Sequence, residues 1–140
     1  MAKDTQLAVT AINAEADALA RLLDNGYLRI YDGEKPADGN TALSGNTLMS
    51  EHRFSATSAP NAANGVLNFN PLTSPTALSG GTPIWFRALK SDGTTNVLDG
   101  TCGAAGSTSN LEFSALPFVL GGVITIASFT HTIPAATAGA

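Results

Sequence analysis

Residues 83–103 read PIWFRALKSDGTTNVLDGTCG, and the first half of this stretch decides the fold class. Ile84 to Lys90 is an aromatic and apolar run that stops at Ser91-Asp92-Gly93-Thr94 and resumes over Thr95 to Leu98. Asp-Gly between two such runs is a hairpin signal, because glycine takes the backbone angles of a tight turn without a side-chain clash. Successive strand residues point to opposite faces, so one of Trp85 and Phe86 is expected to face outward.

The same grammar extends in both directions. Tyr27 to Tyr31 is a strand-like run ending at Asp32-Gly33; Leu48 to Phe54 alternates loosely; Val66 to Phe69 stops before Pro71. Leu111 to Phe113 is short, and Val123 to Ile133 carries β-branched and aromatic residues without formal charge. Asp-Gly pairs at 32, 38, 92 and 99 and Ser-Gly pairs at 44 and 79 read as turns. Leu28 to Gly33 and Phe86 to Gly93 echo one another, both running into Asp-Gly, and read as two similar hairpins. Short strands with frequent turns predict an all-β fold of about eight strands in a sandwich, jelly roll or barrel.

Only the beginning of the chain is helical in pattern. On a helical wheel Leu7, Ala11, Ile12, Ala18, Leu19, Leu22 and Leu23 share one half, while Asn13, Asp17, Arg21 and Asp24 share the other. Glu15 intrudes on the apolar half, and Gly26 is placed to end the helix in a left-handed conformation. A helix this short is marginal in water unless its apolar stripe is covered. The expected organisation is a helical arm over 1–26, a β domain over 27–134 and a flexible tail over 135–140. The stripe residues Leu7, Ile12, Leu19, Leu22 and Leu23, together with Trp85, are the candidate interface.

Charged residues are 13% of the chain, against about 25% in an average soluble domain. Protein interfaces are depleted in the same residue types, so the composition points to a subunit packed against neighbours. The net charge is −4 and no two basic residues are adjacent. A nucleic-acid partner, which needs clustered Lys and Arg, is therefore not expected. Leu116 to Phe129, the longest apolar stretch, is broken by Pro117 and Gly121-Gly122 and is too short for a membrane helix. Cys102 is the single cysteine, which leaves no intrachain disulfide. The N-terminus lacks the apolar core of a secretion signal, so synthesis in a reducing cytoplasm is expected.

Residues capable of chemistry are thinly spread. His52 and His131 fall on separate runs, and zinc needs three or four ligands. Cys102 has no base placed by local sequence to activate it. Glu51 and Glu112 could pair as glycosidase carboxylates, but two acids on two strands are readily explained by chance. Phosphate-loop, calcium-loop and serine-hydrolase patterns are absent from the sequence. No enzyme activity, cofactor or metal is expected.

Three segments carry a family resemblance: GYLRIYDGEKPADGNTALSGNTLMSEHRFS at 26–55, PIWFRALKSDGTTNVLDGTCG at 83–103 and VITIASFTHTI at 123–133. They resemble the small head proteins of tailed bacteriophages, and among these the capsid cement, or decoration, proteins with a jelly-roll fold. Tyr27 to Gly33 and Trp85-Phe86-Arg87 with Ser91 to Thr94 are the most specific pieces. The resemblance implies a jelly-roll or β-sandwich of antiparallel strands on the outer surface of an icosahedral virion. Its partners would be the major capsid protein and other copies of itself, as a homodimer or trimer. No catalytic residue belongs to this pattern. The alternative is a tail-fibre or carbohydrate-binding β module of a phage, for which Trp85 with Tyr27 or Tyr31 would be the exposed aromatic set.

Overall fold

The computed structural model describes residues 6–133. The expected tail over 135–140 lies outside them. The elements are α1 (Val9–Leu23), β1 (Tyr27–Tyr31), β2 (Leu48–Arg53), β3 (Val66–Asn68), β4 (Trp85–Leu89), β5 (Asn96–Ala104), β6 (Leu111–Phe113) and β7 (Ile126–Thr132). The strands form one seven-stranded sheet in the order β2-β1-β4-β5-β6-β7-β3. The β expectation and the N-terminal helix hold.

The two segments that echo one another in sequence are sheet neighbours. Leu28 pairs with Ala88 and Ile30 with Phe86 across the antiparallel β1–β4 ladder. Gly33 and Gly93 beyond them take positive φ of 73° and 72°, as their Asp-Gly turns require. Asp99-Gly100, by contrast, is no turn: it lies inside β5, with Asp99 opposite Arg87 and Gly100 opposite Phe86. A Cβ on Gly100 would stand 2.5 Å from the Phe86 ring, so glycine is there to make room.

The expectation of antiparallel strands throughout fails at one pair. β5 and β6 run parallel, Cys102 beside Leu111 and Ala104 beside Phe113, although only residues 105–110 separate them. Parallel neighbours ordinarily need a crossover of a dozen or more residues. Here the chain doubles back in a small loop stabilised by Glu112, whose carboxylate accepts from the Gly106 and Thr108 N–H groups at 3.1 and 2.9 Å.

The sheet is open between its edge strands β2 and β3, and irregular chain fills the opening. Thr73 N–H donates to Arg53 O and Leu78 N–H to Met49 O along the free edge of β2. On its other side this chain receives Ile124 N–H at Pro75 O, and Ala77 N–H donates to Gly122 O. Pro71 and Pro75 prevent it from becoming a strand, because proline has no N–H to give a ladder.

Inside the curled sheet, Leu28, Ile30, Phe86, Leu111, Phe113, Phe118 and Phe129 are fully covered. The opposite face of β1, β4 and β5 is covered too, by the chain following β1. Trp85 stacks on Tyr31 at 4.8 Å and donates from Nε1 to Asp32 O. Arg87 makes a two-pronged ion pair with Asp99, at 2.8 and 2.9 Å, and donates to Thr41 O. Both partners are about 95% buried, at 5% and 4% residual exposure. Neither Trp85 nor Phe86 faces solvent, because residues 32–46 roof the side the sheet pattern leaves open.

The helix is rotated from its expected setting. Its covered side runs through Ile12, Ala16, Ala20 and Leu23, while Leu22 and Ala18 are exposed. Alanines at 16 and 20 let the axis approach Leu67 of β3 and Ala59 closely. The polar residues assigned to solvent are turned onto the loop 58–65. Asn13 accepts from Gly65 N–H at 2.8 Å, Asp17 from Ala62 N–H at 2.7 Å and Asp24 from Ser58 N–H at 2.7 Å. Ser58 and Arg21 return hydrogen bonds to Ala20 O and Ala59 O. Loop donors that no strand satisfies are thus satisfied by helix side chains. The left-handed residue after the helix is Asn25, at φ 57°, not Gly26. Gly26 is needed for space, since a Cβ there would lie 2.3 Å from Leu89 O.

The helix is therefore part of the core, and its role as an arm is corrected. Leu23→Ala is expected to cost about 2–5 kcal/mol in urea unfolding, whereas Leu22→Ala should change stability by less than about 0.5 kcal/mol. Asp99→Ala, which strands a buried guanidinium, is expected to cost about 3–5 kcal/mol.

Candidate interaction surface

The charges of this chain are unevenly placed. All seven basic and eleven acidic residues fall within 3–53 and 87–112; residues 54–86 and 113–140 contain no Asp, Glu, Lys or Arg. The fold brings the two uncharged segments together. Within them, β3 pairs with β7, Phe69 stacks on Phe129 at 4.4 Å, and Thr76 bridges to Val123 and Gly81 to Phe118.

The two bridges share one antiparallel register and make an irregular ribbon. Gly121 N–H donates to Ala77 O and Gly122 N–H to Val119 O, which turns the chain back at 119–122. Phe118 points inward and meets Phe113 edge-on at 5.0 Å; Ala77 and Ile124 are buried beside it. The large side chains that remain outside are apolar: Leu78 is 58% exposed, Val119 71%, Leu120 70% and Val123 69%. Next to this ribbon a groove of about 430 Å³ opens between Asn68–Leu72 and Thr125–Thr130, where the chain after β3 leaves β7. Its walls carry no charged side chain. A contiguous uncharged face with large exposed apolar groups is suited to contact with another protein.

The candidate interface read from the sequence lies elsewhere and is mostly inside the molecule. Ile12, Leu23 and Trp85 are buried and unavailable to a partner. Leu19 is half-buried against the Ala16, Ala20 and Leu67 cluster, and Leu7 is half-buried. Leu22 alone of the set is a large exposed side chain, at 45%. The wheel misplaces these residues because Ala16 and Ala20, outside its apolar half, form the face that packs on Leu67 and Ala59. The face at 78 and 119–123 had a visible signal: a long uncharged run, apolar on both sides of Gly121-Gly122.

The side chains capable of chemistry stand apart from one another, each paired or partly buried. Glu51 is ion-paired with Arg29 at 2.7 Å, and Glu112 holds its loop. Burial pushes the Cys102 thiol up to about 12, which keeps it protonated. His52 sits in the core between Ser50 Oγ at 3.1 Å and Thr73 O at 2.8 Å, tying β2 to the chain that covers its edge. His131 is half-buried on β7. No group of three or more His, Cys, Asp or Glu side chains gathers at a metal-binding distance among the described residues. No helix among them is long and apolar enough to cross a membrane.

No family model matches the chain, and no curated protein or solved structure shows significant similarity to it.

Burial lowers the pKa of both histidines, and at His52 the Thr73 carbonyl only partly offsets this. Just below the ordinary value of 6.5 the unfolded chain therefore binds protons that the folded chain does not. Stability is expected to be fully present above that value and to fall as pH drops through the window beneath it. Denaturant unfolding at a series of pH values checks this, and a His52→Gln, His131→Gln double variant should flatten the dependence.

Proposed function

We propose that this protein is a non-enzymatic structural subunit of a phage virion. In this reading it binds the outside of an icosahedral head and cements neighbouring major capsid protein subunits. The observation that carries the reading is the uncharged face at Leu78, Val119, Leu120 and Val123. It is displayed on a body whose buried side-chain polar atoms are all hydrogen-bonded among the described residues. A cement subunit has to be stiff and to make apolar contacts that persist under load, and these two features supply both. The sequence resemblance over 26–55, 83–103 and 123–133 supplies the phage-head context. The jelly-roll or sandwich assignment belongs to the same proposal and rests on that resemblance.

The alternative, a carbohydrate-binding or tail-fibre module, would use Trp85 with Tyr27 or Tyr31 as a sugar platform. Trp85 and Tyr31 are stacked in the interior, and Tyr27 lies beneath Arg53 at 4.2 Å. That aromatic set makes no flat exposed row, which favours the structural reading.

Many weak seams acting together can stabilise a shell without any single strong contact. Purified protein added to shells lacking it is expected to raise the temperature at which they break. An interface without charge should be nearly insensitive to salt, since screening acts on exposed ion pairs. Shells that break at the same temperature with and without bound protein would remove the cement reading.

A further inference from the structure

We propose that the chain from Asn70 to Leu78 is a strap latched to the edge of β2 by the neutral form of His52, and that protonation of His52 releases it. The release itself needs no partner; only its consequence for the uncharged face rests on the reading of that face as a contact surface.

The fastening is concentrated at one point. Thr73 N–H donates to Arg53 O at 3.2 Å, Arg53 N–H donates to Thr73 Oγ1 at 2.9 Å, and His52 Nδ1 stands 2.8 Å from Thr73 O. Farther along, Leu78 N–H reaches Met49 O. Between them Pro75 has no N–H to give β2. Along the strap only Ala77 is fully buried, so little apolar burial holds it down. His52 itself is wholly covered, near Phe113 of β6 and under the strap.

A carbonyl oxygen can only accept, so Nδ1 carries the ring proton and Nε2 is bare. Ser50 Oγ, 3.1 Å away and equally buried, donates to Nε2. Both nitrogens of the neutral ring are thereby satisfied. A second proton would place a full charge here, and no carboxylate faces it. Glu51 and Arg53 on β2, and Tyr27, Arg29 and Tyr31 on β1, alternate to the other side of the sheet, where Glu51 pairs with Arg29 and Arg53 covers Tyr27. Glu112 on β6 is turned to its loop, and His131 on β7 stands opposite Leu67 of β3. Cys102, packed against the same core, is kept protonated by burial. The strap has no ionisable side chain. An unpaired buried charge is strongly disfavoured, and burial lowers the pKa of His52 against the opposing pull of Thr73 O. The ring becomes charged most readily when the strap lifts and water reaches it. The strap also carries Leu78 and bridges from Thr76 to Val123, so its release takes the uncharged ribbon apart.

The experiment is amide hydrogen exchange on the full chain, read by NMR from neutral pH to about pH 5 and expressed as protection relative to free peptide at each pH. The amides of Thr73 and Leu78 are expected to lose protection by up to about tenfold for each pH unit below 6.5, because the opened state binds one more proton. The β1–β4 ladder is expected to stay better protected than the strap throughout. His52→Asn, which keeps a donor where Nδ1 stands and cannot titrate, should hold the strap at its neutral-pH protection. His131→Gln should leave the strap's response in place. Imidazole nitrogen shifts of the wild-type chain should show the Nδ1–H form at neutral pH. Strap protection that does not change with pH overturns the proposal, as does a strap and ladder that lose protection together and to the same level. A response that persists in His52→Asn or vanishes in His131→Gln overturns it too, as does an Nε2–H ring at neutral pH. If His52→Asn fails to fold, the wild-type comparison of strap with ladder and the ring tautomer decide. No shell enters these measurements, so a failed latch leaves the cement reading standing, and a failed cement reading leaves the latch.

Discussion

Phe129 holds the architecture together. Its ring touches Phe54 at 6.0 Å, Phe69 at 4.4 Å and Phe86 at 5.2 Å. Phe86 belongs to the middle of the sheet, while Phe54 follows edge strand β2 and Phe69 follows edge strand β3. A flat sheet of seven strands would hold these rings far apart, since neighbouring strands are spaced by about 4.8 Å. Bringing them to one ring requires the sheet to curl until its two edges face each other. The gap that remains is narrow enough for residues 70–78 to fill with backbone hydrogen bonds. Large aromatic area is buried in this closure, and edge-on and stacked ring pairs add to it.

The curl has a consequence on the outer side. The convex faces of β1, β4 and β5 would be left open to water, yet they carry Trp85, Tyr31 and the Arg87–Asp99 pair. The chain from Asp32 to Asn46 crosses them and supplies carbonyl groups at Asp32 and Thr41 to the indole and guanidinium. A buried ion pair is weak evidence for net stability, because desolvation offsets the attraction. Its value here is positional: a planar guanidinium held by two carboxylate oxygens and one carbonyl accepts only one arrangement of the roof. The charged half of the molecule is thereby closed on itself.

The large apolar groups exposed at 78, 119, 120 and 123 then fall to the half without charge. Low charge in the composition has two sources in the fold. Some of it reflects the double-sided burial of β4, which leaves little strand surface to carry Lys or Glu. The rest is concentrated in the two segments that meet at β3 and β7 and expose apolar groups at the ribbon. Composition alone says that charge is scarce; the meeting of the two segments gives the uncharged surface a location.

Local chemistry was legible in the sequence. The β4 run, the Asp92-Gly93 turn, the early helix and the uncharged stretches depend on side chains within a few residues of one another, and periodicity reports them directly. No turn forms at Asp99-Gly100, because glycine there answers to the Phe86 ring across a ladder and not to a bend. The parallel β5–β6 pair was hidden for a similar reason: it depends on Glu112 reaching back to loop N–H groups, which no hairpin rule anticipates. Tertiary structure alone decided which sides are covered. The helix turned its polar residues inward because the loop 58–65 brought unpaired donors, and Trp85 lost its exposure because the 32–46 chain lay across it. Leu23 and Leu22 are adjacent and chemically identical. One is core and the other surface because burial depends on segments distant in sequence, and local periodicity carries no information about where those segments go.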